Sequence, residues 1–129
     1  IVREGSNFTI VALSRMVHEA LKAAEELKEF GLDVEVIDAR SIQPFDTETV
    51  VESIKKTHRG LVVHEAVRFG GFGAEIVAQI QELAFDYLDA PIARVGAPFS
   101  PVPFSPILEK EYVPDADTIV AEVRRTLGI

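Results

Sequence analysis

The sequence predicts an α/β domain built on a mostly parallel sheet, and three observations carry that expectation. Short runs rich in β-branched residues recur four times, separated by longer segments with apolar residues at helical spacing. The strand runs are apolar almost throughout, as strands covered on both faces are. The chain has 129 residues, 47% hydrophobic and 26% charged, which suits one domain, residues 1–129, around its own core.

The first strand is expected over FTIVAL, residues 8–13, with Ser14 as the cap of the helix that follows. Val17, Ala20, Leu21, Ala24 and Leu27 form that helix's inner stripe, and Gly31 is placed at its end. VEVIDA, 34–39, is the second strand. Asp46 caps a shorter helix carrying Val50, Val51 and Ile54, and Gly60 marks its exit. LVVHE, 61–65, is the third strand, followed by a helix with Ile76, Ile80, Leu83, Ala84 and Tyr87 on one stripe. PIARVG, 91–96, is the fourth strand. Five prolines between residues 97 and 114 then predict an extended, non-helical loop. Its Phe99, Phe104, Ile107, Leu108 and Tyr112 either pack down or meet a neighbour. Asp115 caps a last helix with Ile119, Val120, Val123 and Leu127 inward. Strands separated by helices imply right-handed crossovers and a sheet covered on both sides. Residues 1–4 are the remnant of a further strand.

Charge and composition narrow the function. A net charge of −8 argues against nucleic acid and anionic membrane surfaces, and fits a basic protein partner. With no cysteine, disulfides, thiolate metal sites and cysteine nucleophiles are excluded. No apolar run reaches the ~20 residues of a membrane span. The opening IVREGSNF lacks an initiator methionine and suggests a piece of a longer chain.

The candidate residues cluster in HEAVRFGGFGAE, 64–75. In a parallel sheet the loops at the carboxyl ends of strands form the usual crevice. His64 and Glu65 fall there, but neighbouring strand residues point to opposite faces, which suits them poorly as a base and its orienting partner. Gly70–Gly71–Phe72–Gly73 precedes a helix, where free N–H groups can hold an anion, with Arg68 close by. The alternative is that Gly71 and its neighbours permit tight packing. Phe69 and Phe72 are candidate contact residues. Asp38 and Arg40 form a structural ion pair.

VEVIDARSIQPFD, LVVHEAVRFGGFGAEI and LEKEYVPDADTIVAEVR, in that order, resemble the C-terminal, transketolase-type domain of the beta subunit of thiamine-diphosphate-dependent 2-oxo acid dehydrogenases. This is the pyruvate, branched-chain and acetoin dehydrogenase group. The resemblance implies a three-layer α/β/α sandwich with a mostly parallel five-stranded sheet, its antiparallel edge strand supplied by residues 1–4. It implies thiamine diphosphate and Mg²⁺ in the parent enzyme, held by other domains, with none bound by this chain alone. No catalytic residue of the family maps here. The implied partners are the alpha subunit, a second beta subunit and the basic binding domain of the lipoyl acyltransferase, with Ile129 a candidate docking carboxylate. The implied location is the bacterial cytoplasm or the mitochondrial matrix. A free-standing module binding a small anion at Arg68 and the glycine loop is the competing expectation. Another transketolase-like enzyme, such as a deoxyxylulose-phosphate synthase, fits the EYVPD block less well.

Overall fold

The computed structural model describes residues 1–129 as a four-stranded parallel sheet between two helical layers. Its elements are β1 (Phe8–Ala12), α1 (Met16–Lys28), β2 (Val34–Asp38), α2 (Thr47–Thr57), β3 (Gly60–Val67), α3 (Gly73–Ala84), β4 (Ala93–Ala97), α4 (Pro106–Tyr112) and α5 (Ala116–Leu127). Strand order is β2-β1-β3-β4. Phe8 pairs with Val34, Thr9 with Gly60, and Leu61 with Ala93, so the strands start together, while β3 and β4 run on to Val67 and Ala97 beyond the ends of β1 and β2 at Ala12 and Asp38. Between Val63 and Val67 the β3–β4 register shifts, bending the strand where the candidate residues lie.

Alternation of side chains through the sheet divides the core in two. Phe8, Ile10, Val36, Leu61 and Val63 face α1 and α5, where they join Met16, Leu27, Ile119 and Val123 in an 18-residue cluster. Val11, Ile37 and Val62 face α2 and α3, where they join Val50, Ile54, Ile76 and Ile80 in an 11-residue cluster. Every residue of β1 is buried, as its unbroken apolar run requires.

Several expectations are corrected. The sheet has four strands, not five: residues 1–4 make a single antiparallel bridge, Arg3 to Val36. The chain turns away at once, because Ser6 and Asn7 donate to the Asp33 carbonyl and Gly5 is pressed onto the backbone of β2. Ser14 is not a cap. It takes a left-handed conformation, φ 54°, and Arg15 begins α1 without a side-chain cap. His58, φ 62°, rather than Gly60, terminates α2 by donating its N–H to the Ile54 carbonyl. Leu83 and Tyr87 are exposed: Leu83 lies beside the buried stripe of Gly73, Ile76, Ile80 and Ala84, and past Ala84 a 3-10 turn over Phe85–Tyr87 changes the angular step. The proline-rich loop contains α4. Pro106 occupies its first turn, where a missing N–H costs nothing, and the following ILEKEY favours helix. Asp46 and Asp115 do cap α2 and α5, accepting from the Thr49 and Thr118 N–H groups at 3.1 and 2.9 Å. Asp38 and Arg40 are paired at 2.9 Å.

Candidate functional site

His64 lies on β3 and is 5% exposed. Three glycines make the socket for its ring. A methyl group added at Gly71 or Gly73 would stand 2.7 Å from an imidazole atom, and one at Gly96 would stand 3.0 Å away. His64 Nδ1 lies 3.0 Å from the Ala66 carbonyl, which can only accept, so Nδ1 donates there. The glycines therefore serve close packing around a histidine. The same loop offers little to an anion. The N–H groups of Ala74, Glu75 and Ile76 are already bonded to the Gly71 and Phe72 carbonyls.

The other candidates disperse. Glu65 is half-buried and forms no ion pair. Phe72 is half-buried against Phe45, edge to face at 6.2 Å, on the margin of the α2–α3 core. Phe69 is exposed and stacks edge to face on Phe99 at 5.2 Å. Phe99, Val102, Phe104, Ile107 and Leu108 are also exposed, a run of apolar side chains that nothing in this chain covers. Tyr112 is buried, and its hydroxyl donates to the Ser100 carbonyl at 3.0 Å, pinning the base of the loop. Ile129 is exposed, and its N–H donates to the Arg124 carbonyl. Arg68 turns away from the glycine loop toward β4 and α5, where its Nε donates to the Arg94 carbonyl at 3.2 Å. No group of three or more His, Asp or Glu side chains forms a metal-binding cluster.

One buried polar constellation escapes a pattern-based reading. The Glu35 carboxylate is wholly buried at the sheet edge. It accepts from Ser53 Oγ at 2.5 Å, from the Gly5 N–H at 3.3 Å and from Lys56 Nζ. Thr9 Oγ1 lies 2.6 Å from both Ser53 Oγ and Thr57 Oγ1. Burial pushes the Glu35 carboxyl up, but the Lys56, Ser53 and Gly5 donors outweigh it and hold the group below the usual glutamate range. The signal was an acid in the middle of the apolar run VEVID. These groups tie the N-terminal segment, β2 and α2 together, beside an open hollow of about 570 Å³ lined by Ile1, Glu35, Glu52, Ser53 and Lys56.

The family model described as "Transketolase, C-terminal domain" matches residues 1–119. The chain belongs to the transketolase C-terminal domain family. Among curated relatives, this domain is 47% identical over 131 residues to the mitochondrial pyruvate dehydrogenase E1 component subunit beta of Saccharomyces cerevisiae, covering 100% of this chain and 36% of the relative. It is 46% identical over 125 residues to the corresponding subunit of Rickettsia felis, covering 97% and 38%. It is 42% identical over 128 residues to the beta subunit of acetoin:2,6-dichlorophenolindophenol oxidoreductase of Bacillus subtilis, covering 99% and 37%. The transketolase C-terminal domain thus spans well under half the length of these relatives. Its fold superposes on a solved structure titled "Split gene transketolase, inactive beta4 tetramer" with a TM-score of 0.80 at 30% identity, covering 99% of this chain and 40% of that one.

Proposed function

We propose that this chain is the C-terminal domain of the beta subunit of a 2-oxo acid dehydrogenase, acting on pyruvate, and that its work there is assembly. The match of essentially this whole chain to part of such beta subunits carries this reading. Thiamine diphosphate and Mg²⁺ are bound by other domains of the parent enzyme, where decarboxylation and acyl transfer to a lipoyl arm take place. What the chain contributes is a rigid sheet with two cores and an uncovered apolar run from Phe99 to Leu108. Apolar side chains gathered on a pinned loop suit burial against a second beta subunit or the alpha subunit. The acidic balance of the chain suits a basic binding domain on the lipoyl acyltransferase.

The test uses the beta subunit carrying this chain, with its alpha subunit. Phe99→Ser with Phe104→Ser removes two rings worth about 1.5–3 kcal/mol each when buried. The assembly should weaken by roughly a hundredfold or more in sedimentation, while the subunit's thermal midpoint holds. An intact assembly would refute the docking role of this surface. Turnover of pyruvate by the 129-residue chain alone would refute the division of labour.

A further inference from the structure

The strongest unassigned feature is a basic groove of about 820 Å³ between β4, which forms one edge of the sheet, and α5. Arg68, Arg94 and Arg125 line it, with Gly96, Thr118 and Glu122. Arg68 and Arg94 hold one another in place. Arg68 Nε donates to the Arg94 carbonyl at 3.2 Å, and an Arg94 guanidinium N–H donates to the Arg68 carbonyl at 3.1 Å. Each guanidinium uses one of five N–H donors in that lock and keeps the rest. Arg125 is fixed by two bonds to the Glu122 carboxylate, at 2.8 and 2.7 Å. The Arg125 hydrogen bond, against some burial, holds the Glu122 carboxyl below its usual range, and the field of Arg68 adds to that effect across the groove. Three guanidiniums face one carboxylate, leaving two positive charges uncompensated on a chain of net charge −8.

We propose that this groove binds the phosphoryl dianion of a small molecule. A dianion matches the surplus charge, where a monocarboxylate leaves half of it unanswered. Fixed guanidinium forks suit tetrahedral phosphoryl oxygens, since less side-chain freedom is lost on binding. The site is separate from the glycine loop and from the apolar run, and owes nothing to the assembly role.

Amide NMR of the purified protein tests it, with titration by inorganic phosphate and by glycerol 3-phosphate against acetate at matched ionic strength. Saturable shifts at Gly96, Thr118 and Ala121 are expected with either phosphate and not with acetate. A preference between the two phosphates identifies free phosphate or a phosphomonoester as the source. Arg94→Gln should weaken binding by about tenfold or more, and Arg40→Gln, remote from the groove, should leave it unchanged. Glu122→Gln removes the one opposing charge and should tighten binding, an effect no unfolding produces. Linear shifts, an equal response to acetate, or affinity indifferent to Glu122→Gln would overturn the proposal.

Discussion

Lys56→Met reverses the acid response contributed by Glu35. In the native protein the Glu35 carboxyl is held below its ordinary value of 4.5, despite burial, by Lys56, Ser53 and Gly5. A group lowered on folding adds stability that is present above its unfolded value and fades as pH falls through its folded value. Removing Lys56 deletes the leading donor and leaves desolvation, the largest influence, less opposed. The carboxyl then moves upward, and stability is lost as pH rises through the unfolded value. Breaking a buried pair costs about 3–5 kcal/mol. Lys56 is 43% exposed, so solvent screens part of its interaction with Glu35. The loss near pH 7 is therefore roughly 2–3 kcal/mol, and it shrinks toward pH 4 as Glu35 protonates. With a urea slope of about 2 kcal/mol per molar, the midpoint falls by about 1–1.5 M at pH 7 and by much less at pH 4. Urea unfolding of both proteins across pH 4–8 reads this directly. A deficit independent of pH would show that Glu35 is not the buried charge the geometry makes it.

Two further outcomes follow from the backbone. Gly73→Ala sets a methyl 2.7 Å from His64 Nε2 and 3.3 Å from Val62 Cγ1, and should cost about 1–3 kcal/mol in thermal unfolding. In a His64→Ala background that cost should vanish, and its persistence would mean the glycine serves something other than the ring. Ser14→Gly should raise stability by up to about 1 kcal/mol, because Ser14 sits at φ 54° and makes no cap. A loss of stability would restore Ser14 as the start of α1.

The layered α/β plan was legible because β1 and β2 are largely apolar runs, α1, α2 and α5 have clean stripes, and Asp46 and Asp115 cap the starts of α2 and α5. Periodicity says less where two local preferences compete. Pro98, Pro101, Pro103 and Pro106 read as one stiff loop, yet the last of them opens α4. The stripe through Leu83 and Tyr87 reads as continuous, yet a 3-10 turn breaks it. His64, Gly71 and Gly73 were visible as a cluster, but only the fold shows that the glycines enclose the ring. Arg68 was paired with the wrong neighbours, because Arg94 and Arg125 reach it only through the β3–β4 crossover and the return of α5. Glu35, Lys56 and Ser53 meet across as many as 21 residues of sequence, a juxtaposition no window of pattern detects.

The unequal thickness of the two apolar layers sets how the molecule breathes. The α1–α5 side is sealed by 18 buried residues and the α2–α3 side by 11. Partial openings therefore begin on the thinner flank, and amides of α3 should trade hydrogen for deuterium ahead of those of α1. The thicker flank keeps the β strands in register while its counterpart loosens, so one side of the molecule can yield without releasing the other.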